Sequence, residues 1–181
     1  MEPETVLGFW FSERVRRHWF GNTSRDLDLE IRNRFEDAWR AAARGVFAAW
    51  EAEPRGALAL VVLLDQFPLH MFRGQAEAWS TEREARAVAR RAVERGHDAA
   101  LDADGKRFLY MPFMHSEDLG DQDLAVALYE KAGLEDAARW ARHHREIVRR
   151  FGRFPHRNAP LGRETTPEEA AWLASGEAFR G

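Results

Sequence analysis

The sequence predicts an all-α protein of about eight helices, and three observations support that prediction. Apolar residues recur at three- and four-residue steps along most of the 181 residues, whereas no segment alternates between apolar and polar residues as a strand would. Glycine or proline follows most of these periodic segments, which is typical of helix ends. Hydrophobic residues make up 45% of the chain and charged residues 31%, a balance typical of one globular domain spanning 1–181.

The predicted helices of the first half are separated by turn residues and differ in how apolar they are. The helix that opens at Pro54 is apolar all round, so it is expected to lie at the centre of the fold and to stop at Pro68. Thr81 followed by Glu84 predicts a capping box at the next helix start. The predicted helices here run over residues 5–12, 26–44, 54–67 and 81–95, with a turn at 21–24.

The second half continues the same pattern with shorter connections. Thr166, Pro167 and Glu169 combine a cap, a first-turn proline and a capping glutamate, so a last helix is expected to begin there. Helices are predicted over 107–114, 119–132 and 134–151, with an irregular stretch over 153–165. These lengths suit antiparallel helix pairs stacked into a tetratricopeptide-like α-α superhelix.

Composition excludes several classes of function. The chain contains no Cys, so disulfides and thiolate-ligated metals are excluded. The first residues lack the basic and apolar regions of a signal peptide, and the longest strongly apolar stretch, 57–64, is too short to cross a bilayer. A cytoplasmic location is therefore expected. The net charge of −3 argues against nucleic acid as a partner.

A carboxylate and an amide stand at the end of the most apolar helix, at Asp65 and Gln66, and Arg73 follows. Burying Asp65 without a partner would cost several kcal/mol, so its carboxylate is expected to be paired or to line a cavity. The alternative is a structural salt bridge from Asp65 to an arginine that holds two helices together.

His115 and Glu117 lie where an apolar helix stops and an acidic turn begins, and Gln122 follows. A histidine beside carboxylates is more readily protonated and could act as an acid or base near neutral pH. Capping is the alternative for the acids of this turn, because Ser116 and Asp118 are natural first-turn residues. Capping does not account for the histidine.

The segment from Arg139 to Arg157 is strongly basic, with seven Arg and three His against one acid. Guanidinium groups bind carboxylates and phosphates through paired hydrogen bonds, so the segment predicts an anion-binding turn. His144 shares a helix face with Val148 and Phe151 and is expected to point inward. Alternatively, the basic turn only neutralises the acidic turn before it. The candidates here are His156 for proton transfer and His144, Arg150, Arg153, Arg157 and Asn158 for ligand binding.

Familiar catalytic and cofactor motifs are missing from the sequence. His115 and Glu117 lack the four-residue spacing of a helical metal pair, and no H-E-x-x-H pattern occurs. Neither a G-x-S-x-G elbow nor a G-x-x-x-x-G-K phosphate loop is present. Neither a metal nor a cofactor is expected.

Several of these segments together resemble a bacterial family of unknown function, the one numbered 924. The resemblance runs from Val6 to about Leu173 and rests on long motifs. They are VLGFWF at 6–11, LDQFP at 64–68, FRG at 72–74, the stretches 108–122 and 150–158, and LGR at 161–163. Its members are described as tetratricopeptide-like, so the resemblance implies that fold, and it implies no established activity.

The resemblance also implies which polar positions belong to the shared motifs. This chain departs from them at Leu69 and His70, where Arg and Asn usually follow the proline, and it has Glu82 where Asp is common. His70 could partly substitute for the missing arginine. The motif positions are Asp65, Gln66, Arg73, His115, Ser116, Glu117, Gln122, His144, Arg150, Arg153, His156, Arg157 and Asn158.

Two classes of function remain open from the sequence. The first is a pocket for a small anionic ligand, with hydrolase-like acid–base catalysis as an extension; its catalytic candidates are Asp65, His115, Glu117 and His156. This hypothesis predicts that Asp65, His115 and the turn 150–156 surround one cavity. The second is a protein- or peptide-binding helical module without catalysis. RNA binding by the Arg/Phe segment has less support, because the chain is acidic and carries no known module.

Overall fold

The computed structural model describes residues 1–21 and 24–176, and all regular structure in these ranges is helical. The predicted all-α class is therefore confirmed, whereas Asn22 and Thr23 of the predicted turn lie outside the described residues. The α-helices are α1 Pro3–Trp10, α2 Glu13–Arg16, α3 Arg25–Ala43, α4 Pro54–Val61, α5 Phe67–Met71, α6 Glu82–Glu94, α7 Ala103–Met114, α8 Leu119–Lys131, α9 Glu135–Phe151 and α10 Pro167–Ala174.

Shorter helical turns connect these elements. A π-helical turn, Val62–Gln66, joins α4 directly to α5. The 3₁₀ turns are Ala48–Ala52, Ala76–Trp79, His97–Ala100 and Pro155–Arg157. The last of them lies in the stretch that the sequence predicts to be irregular.

The chain forms two compact units. The first contains residues 1–73 and 77–112, and the second contains 74–76 and the described residues from 113 onward. The predicted single domain spanning 1–181 stays a prediction. In the first unit α4 packs against α1 and α6, and α3 packs against α5. Its core is built on buried aromatic rings, which include Trp10, Phe35, Phe67 and Phe108.

The prediction that Pro68 ends the central helix is wrong. The wider turn of the π-helix lets the backbone N–H of Phe67 bond to the carbonyl of Val62, and the chain then continues helically to Met71. Pro68 falls in the first turn of α5, where a helix tolerates a residue without a backbone N–H. The π turn thus carries Asp65 and Gln66 within a continuous helical stretch.

The predicted capping box at Thr81 is also wrong. Its side chain makes no cap hydrogen bond to α6. The buried hydroxyl instead donates to the carbonyl of Leu64 at 2.6 Å and accepts from the indole Nε1 of Trp39 at 3.0 Å. The Thr81 hydroxyl therefore makes tertiary hydrogen bonds instead of capping α6. These bonds connect three elements of the first unit.

In the second unit α8 and α9 form a helical hairpin through a short turn at Gly133. His144 is only 4% exposed, which confirms the prediction that it points inward from α9. Ile147, Val148, Phe154 and Trp172 form an apolar cluster. The Thr166–Glu169 capping box is confirmed at the start of α10. The antiparallel pairing is compatible with a tetratricopeptide-like arrangement, which stays a prediction.

No helix in the described ranges is both long enough and apolar enough to span a membrane.

Candidate functional site

In the first unit Asp65 and Gln66 are 2% and 6% exposed, so the end of the apolar stretch buries a carboxylate and an amide together. Gln66 Nε2 donates to Asp65 Oδ2 and lies 3.2 Å from the sulfur of Met111. The expectation that the Asp65 carboxylate is paired is met by this hydrogen bond. π turns are rare and often mark functional positions, which makes this pair a candidate for a role beyond packing.

Arg73, also in the first unit, is engaged by a carboxylate from α3. Its Nε and Nη2 donate to the two oxygens of Asp28 at 3.0 and 3.1 Å, and His70 Nδ1 lies 2.7 Å from Asp28 Oδ1. Burial alone would raise the pKa of Asp28, but the hydrogen bonds from His70 and Arg73 lower it below its ordinary value. His70 and Arg73 therefore both bind the carboxylate of Asp28.

Glu117 is the centre of a polar network in the second unit. Its Oε1 accepts from the backbone N–H of Phe154 at 2.7 Å, and both its oxygens accept from Arg163, at 2.7 and 3.0 Å. Arg163 also donates to the carbonyl of Phe154 and to Asn158 Oδ1, each at 3.0 Å. Burial would raise the pKa of Glu117, but the bonds from Arg163 and the Phe154 amide lower it. The carboxylate therefore binds Arg163 as an anion.

A second network surrounds Glu169, which is 2% exposed. Arg153 donates to its two oxygens at 2.6 and 2.9 Å, and Asn158 Nδ2 donates to Oε2 at 3.1 Å. The backbone N–H of Thr166 adds a further bond at 2.8 Å. These donors, Arg153 first, lower the pKa of Glu169 to about 2. Arg150, by contrast, makes an exposed pair with Glu168 at 2.9 Å.

Two histidines of the second unit lie against the buried ring of Phe154, and a third is close enough to influence them. The ring centroids of His144 and His156 each lie 5.6 Å from that of Phe154. Both histidines also feel the charge of His115, so we call His115, His144 and His156 the histidine cluster. Burial lowers the pKa of His144 and of His156 to about 3. Both side chains are therefore neutral at pH 7.

The tautomer of His144 follows from its hydrogen bond. Nδ1 lies 2.8 Å from the carbonyl of Trp140, and because a carbonyl only accepts, Nδ1 carries the proton. Nε2 then presents a lone pair. The lone pair suits accepting a hydrogen bond, but a buried imidazole with a pKa of about 3 is both a weak base and without a proton to donate at pH 7.

Arg157 and Gln122 hold the turn at His115 from two sides. Arg157 is 5% exposed, its Nη2 donates to the carbonyl of His115 at 3.0 Å, and its guanidinium lies 4.7 Å above the Phe154 ring. Gln122 is fully buried, and its Nε2 donates to the carbonyls of Met114 and Ser116 at 2.7 and 2.6 Å. The network thus fixes the backbone on either side of His115.

Capping accounts for the acids that follow His115, as the sequence alternative proposes. Asp118 is the N-cap of α8, and its side chain accepts from the backbone N–H of Asp121. Ser116 Oγ donates to Asp121 Oδ2 at 2.7 Å. Neutralisation also contributes, because Arg145 of α9 pairs with Asp123 at 3.2 Å. Glu117 alone of these acids joins the network around Phe154.

A surface depression of about 540 Å³ lies beside these networks in the second unit, lined by Arg153, Arg163 and residues 164–167. Nη1 of Arg153 makes no hydrogen bond to any described residue, whereas its Nε and Nη2 are engaged. The hydroxyl of Thr166 accepts from the Glu169 amide and keeps its own hydrogen for donation. Hydrogen-bond donors therefore remain at this surface.

The sequence predicts no ligand role for Arg163 and only a capping role for Glu169. Arg163 stands in the LGR motif, which was the available signal, but its partner Glu117 lies 46 residues away. Among the described residues no group of three or more His, Asp or Glu side chains could hold a metal ion. Asp65 belongs to the first unit and His115 to the second, and their convergence on one cavity stays a prediction.

These features define an all-helical protein in which polar side chains gather at helix ends. The chain belongs to the family described as "Bacterial protein of unknown function (DUF924)", whose model matches residues 6–177. It is similar to the solved structure of the protein of unknown function ATU0120 from Agrobacterium tumefaciens, at 41% identity and a TM-score of 0.89 over 96% of this chain and 97% of that one. No curated protein matches it.

Proposed function

We propose that the protein binds a small ligand carrying a carboxylate or phosphate group in the depression lined by Arg153, Arg163 and residues 164–167. The observation that carries this proposal is the free donor edge of Arg153. Its Nη1 bonds to no described residue, although the rest of the guanidinium is held rigidly by Glu169 and the carbonyl of Glu164. A pre-oriented guanidinium edge loses little conformational entropy when it binds an oxyanion.

Hydroxyl groups add to the donors at the same surface. Thr166 has a hydroxyl hydrogen to donate, and Thr165 lies beside it, with its oxygen 3.4 Å from Asn158 Nδ2. Arg163 also lines the depression, with its side chain 22% exposed and its charge balanced by Glu117. The Nη1 edge of Arg153 and the threonine hydroxyls are hydrogen-bond donors, and a ligand oxyanion is the strong acceptor that such donors favour.

The histidine cluster does not add support for an extension of this proposal to acid–base catalysis, because His144 and His156 are weak bases. His144 and His156 have a pKa of about 3, so neither carries a proton to give at pH 7. An acid–base reaction near pH 7 would therefore need other groups as its acid and its base. Catalysis stays a prediction from the sequence.

The test is the melting temperature of the full chain in phosphate, sulfate, ethyl phosphate and propionate, against chloride at matched ionic strength. A ligand that binds only the folded state stabilises it by RT ln(1 + [L]/Kd), about 2.7 kcal/mol at a hundredfold excess over Kd. We expect at least one oxyanion to raise the melting temperature in a saturable way. No response to any of the four would contradict the proposal and favour the peptide-binding alternative.

Two matched variants test whether the anion raises the melting temperature by binding at the depression. R153K keeps the charge but removes the Nη1 edge, so the shift caused by the anion should fall relative to the variant's own melting temperature in chloride. R150K is the control, since Arg150 pairs with Glu168 outside the depression. An equal loss in both variants would show that the anion acts on general basic charge.

A further inference from the structure

The depression also contains one carboxylate that neither guanidinium uses. Glu164 lines it, and the Glu164 side chain makes no hydrogen bond or ion pair with any residue in the described part of the chain. Only its backbone carbonyl is engaged, by Arg153 Nη2 at 2.8 Å. Glu164 is exposed, so its carboxylate is solvated and open to a cationic group.

Neither arginine pairs with the Glu164 carboxylate, because each already binds a different carboxylate. Arg153 is bonded through two nitrogens to Glu169, which is buried, and Arg163 is bonded through two nitrogens to Glu117. These pairs cancel in charge, so Glu164 is the one unmatched charge among the six lining residues. The depression therefore offers oxyanion donors next to a carboxylate that needs a cation.

We propose that the ligand is a zwitterion, with an ammonium group close to its carboxylate or phosphate, as in an amino acid or a phosphoethanolamine. The oxyanion binds the Nη1 edge of Arg153 and the threonine hydroxyls, and the ammonium faces Glu164. A ligand with an anionic group alone is repelled by Glu164, whereas the ammonium converts that repulsion into attraction. This inference rests on the proposed function and names the ligand class of the same site.

The experiment compares probe pairs that differ by a single ammonium group: β-alanine with propionate, and O-phosphoethanolamine with ethyl phosphate. Affinities for the full chain are measured by titration calorimetry at pH 7.5. We expect the zwitterion of each pair to bind about three- to tenfold more tightly, as one solvent-accessible charge pair allows. Equal affinities within both pairs would overturn the inference.

The variant E164Q removes the charge and keeps the shape of the side chain. We expect it to lower the affinity for β-alanine to that for propionate, while the affinity for propionate is unchanged or higher. E168Q is the matched control, because Glu168 is an exposed glutamate of the neighbouring α10 that pairs with Arg150 and does not line the depression. An equal effect of E168Q would overturn the assignment to Glu164.

The outcomes separate this inference from the proposed function. If propionate and ethyl phosphate bind but the ammonium gives no advantage, the zwitterion inference is wrong and the oxyanion site stands. If none of the four probes binds, the oxyanion site is wrong as well.

Discussion

Glu117 accepts a hydrogen bond at 2.7 Å from the backbone amide of Phe154, 37 residues further along the chain. The same carboxylate holds Arg163, which in turn binds the carbonyl of Phe154. Phe154, which directly precedes the 3₁₀ turn Pro155–Arg157, is thereby fixed in place by side chains that satisfy its backbone groups. This relationship positions the Phe154 ring, whose centroid lies 5.6 Å from those of His144 and His156.

The first prediction concerns that carboxylate. E117Q removes the charge that binds Arg163 and leaves a donor where an acceptor is needed, so the free energy of unfolding should fall by about 1–3 kcal/mol. Urea denaturation at pH 7.5 measures the loss. The control is E13Q, whose wild-type pair with Arg17 is largely exposed, and it should change stability by less than about 0.5 kcal/mol. Equal effects would show that the network contributes nothing beyond surface charge.

The second prediction compares two adjacent glutamates of α10. Glu169 accepts from Arg153, Asn158 and the Thr166 amide, whereas Glu168 makes one exposed pair with Arg150. E169Q should therefore cost about 2 kcal/mol or more, because several buried donors lose a charged acceptor, and E168Q should be close to neutral. Thermal unfolding of both variants checks this. A melting temperature of E169Q as high as that of E168Q would contradict it.

Acid should weaken that same network at a predictable pH. The pKa of Glu169 is lowered to about 2, so its contribution to stability is complete above the unfolded value of 4.5 and is lost as the pH falls from there towards 2. Urea midpoints measured between pH 5 and pH 3 should fall for the wild type and fall less steeply for E169Q. Parallel lines for the two proteins would exclude Glu169 as a source of the acid sensitivity.

The buried histidines predict that stability also depends on pH in a second, less acidic range. Their folded-state pKa of about 3 lies below the unfolded value of 6.5, so between these values the unfolded chain binds more protons. Stability should therefore fall as the pH drops below 6.5, by at most about 1.4 kcal/mol per pH unit for each histidine. Urea unfolding at pH 7.5, 6.5 and 5.5 measures the slope. H144F should reduce it, and a slope of zero in the wild type would contradict the prediction.

The last prediction tests whether the tertiary hydrogen bonds of Thr81 stabilise the protein. T81V removes the hydroxyl that donates to the Leu64 carbonyl and accepts from Trp39 Nε1, leaving a buried indole donor unmatched. The free energy of unfolding should fall by about 1–3 kcal/mol. T5V, at an exposed position in α1, is the control and should change little. A neutral T81V would show that water replaces both bonds.

Local periodicity, together with the residues that start and end helices, was enough to predict the helical class, the inward orientation of His144 on α9 and the capping box at Thr166. Each of these depends on residues within one or two turns of one another, so their spacing along the chain carries the information. The same reasoning was wrong at Pro68 and Thr81. A π turn placed Pro68 in a helical first turn, and a distant indole and carbonyl claimed the Thr81 hydroxyl.

The sequence by itself determined which polar residues occur at helix ends, and it grouped them into acidic and basic turns. Only the tertiary structure decided their partners: Arg163 for Glu117, Glu169 for Arg153 and Asp28 for Arg73. The physical reason is that opposite charges attract at short range whatever their separation in sequence. The packing of the helices determines which arginine lies close enough to pair with each carboxylate. Those choices leave the Nη1 edge of Arg153 and the carboxylate of Glu164 without a hydrogen bond to any described residue.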